Sequence, residues 1–296
     1  IASQRPEIVK AFREKWGLDK PLHEQYFAFV RNLARGEFGT SINTRRAITK
    51  DLALFLPATV ELATAAVVFA LLLGLPLGIF AAVRRDGPID HLARMVSLIG
   101  VSIPIFWLAT VSLVLFYATL HWTVGPGRLG PQLERPEYVT GLFTVDSLLD
   151  GDFETFKDAV SHLILPGLVL ASSIMGLITR ITRSSMLEVL SQDYTRTARA
   201  KGLREAVVVA RHALRNALIP TVTVLGLAYG GLLSGAVMTE TIFAWPGLGR
   251  YAFQSVRTND FPAIMSVTFV IGIVYVVVNF FVDLLYGWLD PRIHYS

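Results

Sequence analysis

Basic residues cluster in one segment, Asp193–Pro220, which lies between two long apolar runs. Its bases are Arg196, Arg199, Lys201, Arg204, Arg211 and Arg215, and its acids are Asp193 and Glu205. Guanidinium and ammonium groups form charge-assisted hydrogen bonds to carboxylates and carbonyl oxygens. Gly202 divides the segment into two helix-prone halves, because glycine is free in its choice of φ. The pattern predicts either a docking element for a cytoplasmic partner or two interfacial helices that follow the positive-inside rule.

The common catalytic and nucleotide-binding motifs are missing from the sequence. No GxxxxGK[ST], HExxH or GxSxG occurs. The chain has no Cys, which excludes thiol catalysis and Cys-ligated zinc, and its six His residues lack ligand spacing. We therefore expect no catalytic residue, no metal site and no cofactor bound by this chain.

The composition is that of a membrane protein, with 53% hydrophobic and 17% charged residues, against about 25% charged in soluble domains. A helix that crosses a bilayer needs about 20 apolar residues. Five runs reach this length, namely Pro57–Val83, Met95–Trp122, Leu163–Thr182, Ile219–Thr239 and Ile264–Trp288. Each is mostly apolar on all faces, so the sequence predicts an all-α membrane protein. The modest net charge of +4 reflects the loops rather than a nucleic-acid surface.

Charge in the loops predicts the orientation of these spans. Bases dominate residues 84–94 and 183–215, whereas residues 123–160 carry three bases against seven acids. Cytoplasmic loops are enriched in Lys and Arg, so we expect loop 123–160 outside and the C-terminus in the cytoplasm. Residues 1–56 then form an external segment, although it has ten bases against six acids, and residues 57–296 form the transmembrane domain. Five spans with an external start predict one further span upstream.

Three acids lie in or beside the predicted spans: Glu61, Glu240 and Asp283. An ionisable side chain inside a membrane is costly unless it is paired, so it is a functional candidate by default. Each acid could instead lie near an interface, where it is solvated or paired. They form no nucleophile–base pair or ligand cluster, which disfavours an intramembrane enzyme.

YTRTARAKGL followed by RHALRNALIP resembles the cytoplasmic coupling loop of permease subunits of bacterial ATP-binding-cassette importers. The closer resemblance is to the dipeptide, oligopeptide and nickel branch, and to the first permease of its pairs. In the general coupling loop of these importers, a Glu-Ala-Ala triplet is followed by a Gly. Here Arg196-Thr197-Ala198 stands in the place of that triplet, and Gly202 stands in the place of that Gly. Segments similar to the family follow one another along the chain: GLDKPL, GEFGTS, PATVELA, SIPIFWLA, HLILPGL, TRSSMLEVLSQDY, ETIFAWPGLGR and LDPRI.

The resemblance implies a type I importer permease bundle in the bacterial plasma membrane, with five of six expected spans visible. Short helices in coupling loop 183–218 then sit in a groove of an ATPase. The residues expected on the exposed coupling face are Tyr194, Arg196, Thr197, Ala198, Arg199, Lys201, Gly202 and Leu203. The implied partners are a second homologous permease, two ABC ATPases that hold ATP and Mg, an extracytoplasmic solute-binding protein and membrane lipid, but no nucleic acid.

The resemblance implies that the chain forms half of an alternating-access pathway for di- or oligopeptides, while other chains hydrolyse ATP. Nickel and glutathione stay open as substrates, and a passive channel is disfavoured because it needs no coupling loop. Aromatics in ETIFAWPGLGR are either interfacial belt residues or part of an external gate that meets the binding protein. The candidate pathway or gate residues are Glu61, Ser102, Pro104, Trp107, Glu240, Phe243 and Trp245.

Overall fold

The computed structural model describes residues 20–233 and 236–289 of the chain. Within these ranges the chain is helical, with no strand beyond an isolated antiparallel bridge between Thr40 and Ala47. The helices are α1 (Leu22–Ala34), α2 (Ile48–Val83), α3 (Pro88–Ser102), α4 (Ile105–Ser112), α5 (Phe143–Leu149), α6 (Phe153–Leu190), α7 (Asp193–Ala200), α8 (Glu205–Leu233), α9 (Val237–Ile242), α10 (Leu248–Arg257) and α11 (Phe261–Leu289). Wider π-helical turns extend α4 over Leu113–Thr119 and interrupt α8 over Val208–Ala213.

Long apolar helices confirm the predicted membrane bundle. The described residues contain four helices that are long and apolar enough to cross a membrane, α2, α6, α8 and α11. A fifth crossing is possible if α3 and α4 count as one bent span. The first nineteen residues, the LDPRI motif after Leu289 and the side chain of Asp283 lie outside the described part of the chain.

The predicted span Met95–Trp122 is divided by a bend rather than straight. The chain turns by 100° between α3 and α4. Pro104 has no N–H and a fixed φ, and it excludes the helical conformation from the residue before it. Ile103 is accordingly extended, with φ −81° and ψ 126°. Mean hydropathy does not register this turn, because both arms are apolar.

Several helices extend beyond the apolar runs that predicted them. α2 begins at Ile48, within the predicted external segment. α6 has 38 residues, so it is about 57 Å long, well over the roughly 30 Å of a bilayer core. Its first turn is capped by Asp152, whose carboxylate accepts from the N–H groups of Glu154 and Thr155. The run Ile219–Thr239 is divided, since α8 ends at Leu233 and α9 begins at Val237.

Small residues set the close packing of the bundle. A Cβ added at Gly78 of α2 would lie 2.8 Å from the Thr179 carbonyl oxygen of α6, and one at Gly100 of α3 would lie 2.5 Å from that of Ser172. Helices in membranes approach closely where such residues face each other. Successive contacts show that α2 and α6 run in the same direction, from the capped end of α6 to the coupling loop.

Candidate functional site: the coupling loop and the outer cluster

The predicted coupling helix, α7, follows α6 after a two-residue turn and is anchored by its inner face. Thr195 is fully buried, and its hydroxyl lies 2.6 Å from the Gln192 carbonyl oxygen and 3.1 Å from that of Leu190. Ala198, three residues further on, is 6% exposed. The expectation that Ala198 belongs to the exposed face is therefore wrong, because positions i and i+3 share one face of a helix.

The remaining predicted coupling residues are exposed: Tyr194, Arg196, Thr197, Arg199, Lys201, Gly202 and Leu203. Gly202 has a φ of +76°, and no atom lies within 4 Å of a Cβ added there. Its left-handed conformation produces the sharp turn between α7 and α8. The sequence signal for this turn was the lone glycine between two helix-prone halves.

Two of the exposed side chains also brace the turn. Arg199 donates to both carboxylate oxygens of Glu205, at 2.7 and 3.0 Å, across Gly202. The Tyr194 hydroxyl accepts from the Asn216 amide at 2.9 Å, which links α7 to α8. These contacts hold α7 at a fixed angle to the crossing helices on either side of it.

A buried carboxylate that sequence reasoning missed stabilises the same end of the bundle. Asp90 of α3 is fully buried and accepts hydrogen bonds from Arg183 of α6 and Arg94 of its own helix. Arg183 and Asp90 are 93 residues apart. The sequence signal was their common position in basic loops on the predicted cytoplasmic side. The pairing ties α3 to α6 about two turns before the end of α6 at Leu190.

The opposite end holds a second buried charge pair, between Glu61 of α2 and Arg128. Arg128 donates to Glu61 at 2.6 Å and to the Gly141 carbonyl oxygen at 2.9 Å, and both charged side chains are about 95% buried. The other Glu61 oxygen accepts from the N–H and hydroxyl of Thr144, each at 2.8 Å. Glu61 is thus paired and connects a span to the loop above it.

Glu240 is also buried and fully engaged. It accepts from the Thr59 hydroxyl and from the Arg250 N–H, both at 2.7 Å. A Cβ at Gly247 would collide with its carboxylate, so only glycine fits the turn that wraps around it. These contacts tie α9 and α10 to the outer part of α2.

The aromatics of ETIFAWPGLGR are not belt residues, since Trp245 is 1% and Phe243 3% exposed. The Trp245 indole donates to the Ala58 carbonyl oxygen at 2.8 Å, and the Phe243 carbonyl oxygen accepts from Gly127 at 2.9 Å. Arg128 lies over the Phe143 ring, 3.7 Å from its centroid. The outer cluster is therefore a packed structure around Glu61, Arg128, Glu240, Phe243 and Trp245.

The other three candidate gate residues lie at the bend between α3 and α4. Ser102, Pro104 and Trp107 are all exposed, with Trp107 at 51%. Ile105 packs against the hydrophobic cluster that contains Trp245, and Ala109 belongs to the cluster that contains Phe243. The bend thus abuts the outer cluster without contributing a polar side chain to it.

The acids of loop 123–160 shape the loop itself. Asp146 accepts from the N–H groups of Thr140 and Gly141, Asp150 from that of Glu137, and Asp158 from that of Gly130. Burial alone would raise the pKa of Asp146, but the hydrogen bonds outweigh it and lower that pKa. These carboxylates hold backbone donors rather than facing a ligand.

The chain matches the family described as "Binding-protein-dependent transport system inner membrane component" over residues 74–295. It is 51% identical to the Probable D,D-dipeptide transport system permease protein DdpB of Escherichia coli K12, over 97% of this chain and 84% of that protein. It is 43% identical to the Dipeptide transport system permease protein DppB of Alkalihalophilus pseudofirmus, over 98% of this chain and 87% of that protein. It is 36% identical to the Glutathione transport system permease protein GsiC of Pectobacterium atrosepticum, over 98% of this chain and 85% of that protein.

A similar fold occurs in an inward-facing structure of the MetNI methionine ABC transporter. The match has a TM-score of 0.58 and 16% sequence identity, and it covers 80% of this chain and 96% of that one. This likeness confirms the predicted type I permease architecture.

Proposed function

This chain belongs to the binding-protein-dependent transport system inner membrane components and is a permease subunit of an ATP-binding-cassette importer of the dipeptide branch, and from that premise we propose that it forms half of a translocation pathway for di- or oligopeptides. A second homologous permease supplies the other half. Two ATPase subunits drive the cycle, and an extracytoplasmic solute-binding protein delivers the substrate. The chain is a multi-pass protein of the bacterial inner membrane, and its C-terminus is cytoplasmic.

The observation that carries this proposal is the attachment of an exposed basic helix to a long helix of the bundle. α6 runs about 57 Å from the Asp152 cap to Leu190, and α7 follows it directly. The Arg199–Glu205 ion pair and the hydrogen bond between Tyr194 and Asn216 fix α7 to α8. The ion pair at Asp90 fixes α3 to α6, so a force on α7 moves the crossing helices as a body. Closure of the ATPases then tilts the bundle and switches the pathway between its two openings.

The exposed face of α7 has the chemistry for docking on a protein. Arg196 and Lys201 offer charge-assisted hydrogen bonds to carboxylates and carbonyl oxygens, and Thr197 lies between them on the exposed side. ATP and Mg bind on the partner ATPases, and this chain neither binds a cofactor nor catalyses a reaction. The sequence contains no phosphate-binding GxxxxGK[ST] loop, which supports this division of labour.

Peptide is the substrate class that the relatives favour. Two of the proteins compared above are named for dipeptides or D,D-dipeptides and one for glutathione, itself a peptide. The described residues contain no group of three or more His, Cys, Asp or Glu that could hold a metal ion, so no local feature favours nickel. Uptake by the assembled importer with competing dipeptides, glutathione and Ni²⁺ distinguishes the three.

The coupling role is tested by Gly202→Asp, measured as ATP-driven uptake in proteoliposomes of the assembled importer. Asp tolerates a positive φ better than most residues, and no atom would obstruct its Cβ, so we expect the chain to fold. The added carboxylate should block docking on the ATPase and abolish uptake.

The matched control is Gly151→Asp, since Gly151 has a φ of +72° and the same open surroundings in the opposite loop. Its uptake should stay within twofold of wild type. Normal uptake by Gly202→Asp would refute the coupling role of this loop.

A further inference from the structure

A cleft of about 500 Å³ opens beside the outer cluster, at the end of the bundle opposite the coupling loop. Its walls come from α2, from loop 127–135, from Phe143 and from the turn before α10. Most of the lining side chains are apolar, including Leu54, Leu129 and Leu133. Two arginines, Arg128 and Arg135, provide its charge. An apolar cleft with a few convergent polar groups is the usual form of a binding site.

Arg128, which lines the cleft, has one hydrogen-bond donor without a partner among the described residues. Its side chain is 4% exposed, and its Nε–H has no hydrogen-bond partner among the described residues. A buried donor without a partner is costly, and native structures rarely leave one unused. Glu61 already neutralises the Arg128 charge.

Arg135 adds a positive charge that forms no ion pair with any described residue. It is exposed and forms no ion pair or hydrogen bond within the described part of the chain. Glu134 and Glu137 flank it in sequence but do not line the cleft. The Asp150 and Asp158 carboxylates are engaged with backbone N–H groups. The cleft therefore combines a net positive charge with apolar walls.

We propose that this cleft receives an acidic side chain of the solute-binding protein, with its carboxylate on Arg135 and Arg128 and an apolar neighbour against Leu54 and Leu133. The inference deepens the proposed function and rests on it. The cleft lies on loops beyond the crossing helices, on the side away from the ATPases, where a soluble partner is the one expected. Guanidinium groups recognise carboxylates with both charge and a fixed geometry.

The position of the cleft gives docking a mechanical consequence. Arg128 contacts Glu61 of α2 and lies over the Phe143 ring, and Ala244 and Pro246 of the cleft flank the buried Trp245. A carboxylate seated there contacts the residues that hold the outer cluster together. The docked partner thereby acts on the outer end of the bundle.

The test uses the assembled importer in nanodiscs, with its own solute-binding protein added at increasing concentration while ATP hydrolysis is measured. Arg135→Gln should raise the half-saturating concentration of the binding protein at least fivefold and leave the maximal rate within twofold. Arg135 is exposed and holds no described contact, so the change should not disturb folding. The control is Arg257→Gln, which removes an exposed arginine of α10 outside the cleft and should shift half-saturation less than twofold.

Three results would overturn the proposal. An unchanged half-saturation in Arg135→Gln means that the cleft does not take part in docking. Equal effects of Arg135→Gln and Arg257→Gln mean that only the general charge of this face matters. If Arg135→Gln, at saturating binding protein, changes only the peptide concentration that ATP hydrolysis requires, the carboxylate that binds in the cleft belongs to the peptide. If the binding protein fails to stimulate the wild-type importer, the proposed function fails as well, which separates that outcome from the other three.

Discussion

Replacing Glu61 by Gln should destabilise the outer cluster strongly, because it leaves Arg128 charged and buried. Glu61 and Arg128 are 5% and 4% exposed, and their ion pair is 2.6 Å long. The new amide can still accept from Thr144, but its NH₂ group faces the Arg128 N–H donors. Breaking one side of a buried ion pair costs about 3–5 kcal/mol. With roughly 2–4 °C lost per kcal/mol in a chain of this size, the melting temperature should fall by about 6–20 °C.

The measurement is thermal unfolding of the assembled importer in nanodiscs. Arg128→Gln alone should also be costly, and the double variant should lose less than the two single losses added together, since neither charge remains unpaired. Glu205→Gln is the control, because the Arg199–Glu205 pair is 38% and 51% exposed and such pairs contribute about 0–1 kcal/mol. A Glu61→Gln variant that melts within 1 °C of wild type would contradict the reasoning.

Two further predictions concern packing and pH. Gly100→Ala places a Cβ 2.5 Å from the Ser172 carbonyl oxygen and should destabilise the bundle by about 1–3 kcal/mol in the same unfolding assay. The control Gly231→Ala has no atom within 4 Å of its Cβ and should be neutral or slightly stabilising. Equal effects of the two variants would refute the packing argument. The lowered pKa of Asp146 means that its carboxylate stabilises the fold above its ordinary pKa of 3.8 and that this contribution is lost as pH falls through the lower folded value. Asp146→Asn should therefore melt below wild type at pH 7, with a difference that shrinks below pH 3.8, and a difference independent of pH would count against this cause.

Apolar runs were enough to predict the bundle, because a crossing helix needs length and hydropathy, which are local properties. The run Pro57–Val83 became the apolar part of α2, and Ile264–Trp288 lies inside α11. The same measure could not give the ends of α6, which lie beyond the apolar run Leu163–Thr182, and its first turn depends on the Asp152 cap. It also could not distinguish one span from the bent pair α3 and α4, although Pro104 was a visible signal.

Local sequence also sufficed for the turn at Gly202 but not for the buried face of α7. A lone glycine between helix-prone halves indicates a turn, and its φ of +76° confirms it. Ala198 was predicted to lie on the exposed coupling face. Ala198 instead allows close approach to the bundle, because Thr195 turns that face inward. A small residue indicates close packing without saying which surface packs on it.

The partners of the buried acids depend on contacts that no local pattern encodes. Glu61 requires a cation, and loop 123–160 offers Arg128, Arg135 and Lys157 within its predicted side of the membrane. The choice falls on Arg128 because the N–H of the preceding residue, Gly127, donates to the Phe243 carbonyl oxygen and fixes this part of the loop at the outer cluster. Asp146 fixes the other side of the loop by holding the N–H of Gly141, whose carbonyl oxygen also accepts from Arg128. Acids of this loop thus serve to position the arginine that pairs with Glu61 of α2.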